Sequence, residues 1–153
     1  TLEISGEWKD AAGASLRSPF RKTFRVSGAD HESPAPAAWK LSAPSAGSLE
    51  LLELDFGAPL DHALLHRLLW VEDENGRRVE GKISVHGAER RWSLQPRQEW
   101  SPGNYRLRIR STLEDLAGNG IDKPFEVDLF EQVRSRVDTK VLSREFTVSP
   151  PPK

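Results

Sequence analysis

Apolar and polar side chains alternate with a period of two over four stretches of the chain. They are Leu52-Glu53-Leu54-Asp55-Phe56, Val79 to Val85, Tyr105-Arg106-Leu107-Arg108-Ile109-Arg110 and Phe125-Glu126-Val127-Asp128-Leu129. Such alternation buries one face of an extended strand and leaves the other in water, the habit of antiparallel sheets. Turn chemistry separates the strands. Glu74-Asn75-Gly76-Arg77, Ser101-Pro102-Gly103-Asn104 and Ala117-Gly118-Asn119-Gly120 each read as hairpin turns, because Gly and Asn tolerate positive φ. Short strands at this spacing predict an all-β antiparallel sandwich.

One segment carries a helical pattern. Asp61 is placed to cap a short helix from Ala63 to Leu69, with Leu64, Leu65 and Leu68 on adjoining faces. Two turns are marginal alone, so this helix must pack on the sheets. Ser27 to Pro44, containing Ser33-Pro34-Ala35-Pro36, reads as a linker, and Ser149 to Lys153 as a polyproline-like exit.

Residues 2–20 repeat at residues 107–125. Leu2, Ile4, Asp10, Ala12, Gly13, Pro19 and Phe20 recur as Leu107, Ile109, Asp115, Ala117, Gly118, Pro124 and Phe125. Seven identities in nineteen positions compare with about one expected from composition. The expected organisation is residues 1–30 as the C-terminal part of a preceding module, 31–36 as linker, 37–131 as a complete module and 132–153 as a final strand and Pro-rich tail. A partial module leaves an open edge and an uncovered apolar face. Residues 132–149, with Val137, Val141, Phe146 and Val148, are expected to return and pair with residues 1–26; running on as a linker, or belonging to a following module, is the other reading.

Composition narrows the functional classes. With 22 basic and 23 acidic side chains the net charge is -1, which argues against general nucleic-acid affinity, since that requires a basic surface to displace counterions. No cysteine is present, which removes disulfides and thiolate metal sites. No apolar run approaches the roughly 20 residues of a membrane helix. A chain that opens at Thr1 and holds no methionine is expected to come from inside a longer protein.

Several motifs in order resemble a known family. Leu54-Asp55-Phe56 with Ala58-Pro59-Leu60-Asp61, Val71 to Gly76, Trp92 to Pro96, Trp100 to Leu107 and Asp115-Leu116-Ala117-Gly118-Asn119 are similar to successive motifs of the bacterial Ig-like domain of the S-layer (SbsA-like) type. The resemblance spans about residues 40–130 and echoes in 2–26. It implies an Ig-like sandwich, non-catalytic and repeated, in exported proteins, hence an extracellular, cell-surface or periplasmic location. Other domains of the same polypeptide, and a protein or glycan at the cell surface, are the partners it suggests, without nucleic acid or membrane insertion.

Candidate chemistry is sparse. Asp10 with Gly13, and Asp115 with Gly118 and Asn119, read as structural turns in which the carboxylate accepts backbone amides; one Asp and one Asn fall short of calcium's six to eight oxygens. Asp73, Glu74 and Asn75 read as a turn for the same reason. His62 and His66 have the i, i+4 spacing of a metal pair, but Ala63 stands where a zinc protease needs Glu and no third ligand is evident. No nucleophile elbow, phosphate cradle or carboxylate pair in a cleft motif appears, so no catalytic residue and no cofactor is expected. Arg106, Arg108 and Arg110 form a basic stripe, expected to be neutralised by Glu126 and Asp128 across a ladder. Five tryptophans keep open an accessory carbohydrate-binding module, with Trp39 and Trp100 as candidate platforms. The leading expectation is a non-catalytic spacer or protein-interaction module.

Overall fold

The computed structural model describes residues 1–24, 28–121 and 140–150. The alternating segments become strands: β1 (Leu2–Ile4), β2 (Phe20–Lys22), β3 (Lys40–Ser42), β4 (Leu52–Asp55), β5 (Leu69–Glu72), β6 (Gly81–His86), β7 (Arg91–Pro96), β8 (Gly103–Arg110) and β9 (Val141–Val148). They pair antiparallel as a four-stranded sheet, β3-β4-β7-β6, a three-stranded sheet, β5-β8-β9, and a separate hairpin, β1-β2. The result is an all-β antiparallel sandwich carrying extra N-terminal strands.

The period of two decides which side chains meet between the sheets. Leu52 and Leu54 of β4, Trp92 and Leu94 of β7, Leu69 and Val71 of β5, and Leu107 and Ile109 of β8 are buried in one cluster. Each fully buried aliphatic chain contributes about 2 kcal/mol. Intervening residues such as Glu53, Gln95 and Arg110 face water.

The helix is shorter than its sequence suggests. α1 covers His62–Leu65, with the Asp61 side chain accepting from the Leu64 amide at 2.8 Å. Leu69, the expected end of the helix, instead opens β5, where it is fully buried. Ser101 to Asn104 also differs. It is a crossover, leading from β7 in one sheet to β8 in the other, and the Tyr105 hydroxyl donates to the Ser101 carbonyl at 3.0 Å to hold the bend.

The C-terminal segment corrects the domain boundaries. Rather than pairing with residues 1–26, residues 141–148 pair with β8 over eight positions, from Gly103↔Val148 to Arg110↔Val141. The physical reason is its inward face: Phe146 stacks on Tyr105 at 5.6 Å, and Val148 is 1% exposed. The module thus extends past residue 131 to Val148. The expected strand Phe125–Leu129 lies outside the described residues, and β5 and β9 occupy both sides of β8.

The repeat is structural as well as sequential. In the N-terminal segment Trp8 N–H donates to Ser5 O, Asp10 N–H to Ala14 O, Gly13 N–H to Asp10 O and Leu16 N–H to Trp8 O. At an offset of 105, Leu113 donates to Arg110, Asp115 to Asn119, Gly118 to Asp115 and Ile121 to Leu113. The bridges Lys9↔Ser15 and Glu114↔Gly120 obey the same offset. Beyond the corner it changes. Ile4 pairs with Phe20, whereas Ile109 pairs with Leu142, so the final strand is equivalent at an offset of 122. The same offset aligns the sequence Lys22-Thr23-Phe24-Arg25-Val26-Ser27 with Arg144-Glu145-Phe146-Thr147-Val148-Ser149, in which Phe, Val and Ser are identical.

Candidate functional site

The residues singled out for chemistry begin with three loops of one design. In Asp10 to Ala14, Asp73 to Arg77 and Asp115 to Asn119 the fourth residue is Gly at φ 83°, 75° and 89°. In each, the Asp Oδ1 accepts the amides two and four residues on, at 2.8–2.9 Å. A carboxylate satisfied this way fixes a tight turn, and positive φ explains the glycine. Asp115 also spends Oδ2, which accepts from Asn119 Nδ2 at 2.9 Å. Asn119 is fully buried and donates from Nδ2 to the Asp30 carbonyl at 3.1 Å, which fastens the incoming linker to the corner. Ala14 holds the equivalent place in the N-terminal copy and has no such group.

Asp115→Ala is therefore expected to destabilise the module by about 2–3 kcal/mol, since it leaves buried Asn119 without its charged acceptor. Asp10→Ala, in an exposed turn, should cost less than about 1 kcal/mol. Urea unfolding of both variants checks the difference; equal losses would deny the buried amide its role.

Next to this corner, Glu114 is held above its ordinary value of 4.5, first by partial burial and then by the Asp61 and Asp115 carboxylates. A raised folded pKa favours the folded state fully below 4.5, and the benefit is lost as pH rises through the folded value. Glu114→Gln is expected to raise the urea midpoint at pH 7 and to leave it unchanged near about pH 3.5. A gain of equal size at both pH values would remove charge as its cause.

Among the described residues the histidines and the arginine stripe form pairs rather than larger clusters. His62 and His66 lie ring to ring at 5.2 Å, and His62 Nδ1 is 3.4 Å from Glu89 Oε1, all toward solvent. Among the described residues no three His, Asp or Glu side chains are grouped closely enough to hold a metal ion. Arg108 Nε pairs with Glu72 at 3.4 Å and Arg106 with Glu145 at 3.8 Å. Two of the three arginines of the stripe are thus paired, with β9 and β5, and Arg110 lies over the Trp70 ring at 6.0 Å; the expected partners Glu126 and Asp128 lie outside the described residues.

The aromatic candidates are also reassigned. Trp39 is 4% exposed and packs edge-on against Phe56 at 4.7 Å, while Trp100 is 2% exposed and donates from Nε1 to the Glu50 carbonyl at 2.9 Å. Neither can serve as a sugar platform, because each ring is spent on the core. Trp8, at 64%, is the exposed indole, and Trp70 is half-buried with Nε1 donating to Glu72 Oε1 at 2.8 Å. A hollow of about 180 Å³ near Trp70, Glu80, Gly81 and Trp92 lies where the chain crosses between sheets. It brings together no nucleophile with a base.

No protein-family model matches the chain, and no curated protein does either. The structure holds two copies of one corner, the second within the sandwich and the first in a hairpin whose large apolar side chains Leu2, Trp8, Leu16 and Phe20 are exposed. The Asp10, Asp73 and Asp115 turns and the Asp61 cap stand where the sequence places them. The face on the hairpin was foreshadowed by its apolar residues, but only the 122-residue offset of the last strand defines it.

Proposed function

We propose that the chain is a non-catalytic, Ig-like structural spacer or protein-interaction module within a larger exported bacterial protein. The observation that carries this reading is the bond-for-bond recurrence of the corner at an offset of 105, which suits modules repeated along one polypeptide. The motif resemblance supplies the S-layer-type Ig-like family, the export and the cell-surface, extracellular or periplasmic location. Neutral overall charge and a core held by packing alone suit a spacer.

Protease shaving of intact cells of the source organism tests it. Peptides from this chain are expected in the shaved fraction, or in a periplasmic extract, before lysis. Recovery solely from the cytosol would sink the reading.

The accessory glycan-binding alternative now rests on Trp8, whose exposure gives it its one favourable observation. Intrinsic fluorescence across a glycan panel should show no saturable change in the wild-type chain. A saturable change abolished by Trp8→Ala would establish the alternative instead.

A further inference from the structure

The hairpin β1-β2 and its corner expose five large apolar side chains: Leu2, Trp8, Leu16, Phe20 and Phe24, between 43% and 64% open. On an isolated surface that clustering would be costly, at roughly 25 cal/mol for each Å² left in water. The repeat says what each position is for. Leu2 corresponds to Leu107 and Trp8 to Leu113, both 0% exposed. Leu16 corresponds to Ile121 and Phe20 to Leu142, both partly buried against the core. Phe24 corresponds to Phe146, which is 9% exposed and stacked on Tyr105. All five exposed positions of the hairpin are thus positions that the complete module buries, three of them wholly and two in part.

We infer that this face is one half of a sandwich interface whose occupant is an antiparallel polypeptide sheet of the kind formed by β3-β4-β7-β6. The inference rests on the modular reading and deepens it by naming the partner and the residues that receive it. In the complete module Leu107 and Ile109 share their core with Leu52, Leu54, Trp92 and Leu94 of that sheet. The hairpin presents the same stripe through Leu2 and Ile4, at the same register, with nothing of that kind across from it among the described residues. Shape and chemistry select the occupant. The one polar position of the face agrees: Lys22 stands opposite Leu2 as Arg144 stands opposite Leu107, and Arg144 donates to the Trp39 carbonyl at the entrance to β3, whereas a second hairpin offers no counterpart of Trp39, Trp92 or Leu94.

The test supplies the missing sheet. Residues 31–105 are fused ahead of the intact chain, so that Thr1 follows Tyr105 and Leu2 takes the place Leu107 takes in the complete module. Amide hydrogen exchange is followed by mass spectrometry on peptides from residues 1–24. Exchange at Leu2 to Ile4 and at Trp8 to Leu16 is expected to slow by on the order of a hundredfold relative to the unfused chain. Trp8→Asp in the fusion should abolish that protection while leaving residues 103–121 as slow as before.

Exchange in the fusion as fast as in the unfused chain would overturn the inference. So would protection that appears only after Trp8→Leu, since the natural face would then not fit this sheet. Concentration-dependent protection of residues 1–24 in the unfused chain would also overturn it, by making a second copy the occupant. Cell-surface exposure is measured separately, so a failure here leaves the spacer reading to stand or fall on its own experiment.

Discussion

Deleting residues 132–153 should abolish the cooperative unfolding of the sandwich, although the remaining chain keeps the whole segment that the motifs assign to the module. β9 contributes eight ladder positions to β8 and buries Phe146 and Val148, with Leu142 partly buried. Burial of three such side chains is worth roughly 5 kcal/mol, comparable with the 5–15 kcal/mol net stability of a domain, before the lost ladder is counted. Tyr105 and Trp100, which pack on Phe146, would be opened to water as well. Near-ultraviolet circular dichroism and a urea melt check the outcome. A truncated chain with an unchanged urea midpoint would show that β9 is dispensable.

Gly81→Ala should be the most damaging small-to-large change in the four-stranded sheet. A Cβ at this position would collide with the Gln95 carbonyl oxygen and lie 2.8 Å from a Leu94 methyl. The first contact is backbone on the paired strand, which cannot turn aside as a side chain can. Relief requires β6 to move off β7 at the Gly81↔Pro96 end, where the Arg97 amide donates to the Glu80 carbonyl at 2.9 Å. The expected loss is about 3 kcal/mol, at the upper end for overpacking. Gly76→Ala provides the comparison, since nothing crowds that site and only φ of 75° opposes a side chain. It should cost about 1 kcal/mol. Equal urea midpoints for the two variants would mean that the strands separate freely there.

These two sites also show where the sequence was readable. Alternation located β4 and β8 because each has one wet face and one dry face, and β6 because Ile83 and Val85 are partly buried against the core while Lys82 and His86 face water. Asp61 announced its cap and Asp115 its turn, since a carboxylate two or three residues ahead of an unpaired amide is a local device. Partner choice is not local. Phe125 matched Phe20 at the offset of the corner, yet the ladder partner of Ile109 is Leu142. The true signal was present as Phe24, Val26 and Ser27 against Phe146, Val148 and Ser149, but an offset change after Ile121 hid it. The tryptophans failed for a related reason. Trp39 and Trp100 lie at the entrances to β3 and β8 rather than inside a run of alternation, so no period indicated that their rings turn inward.

The placement of β8 has a consequence for how the polypeptide is made. Its two neighbours come from far along the chain on either side, β5 ending at Glu72 and β9 starting at Val141. Such non-local pairing folds slowly, because loop closure must precede any gain from contact. A nascent chain emerging from the ribosome holds β8 with one bare side until Val148 has been synthesised, and it is during this interval that an unpaired strand invites aggregation. Arg106, Arg108 and Arg110 stand on that strand throughout the wait. Before β9 exists Arg106 has not met Glu145, and the charges of Arg106 and Arg110 oppose pairing of that bare side with a second nascent copy, as charged side chains do on any edge strand.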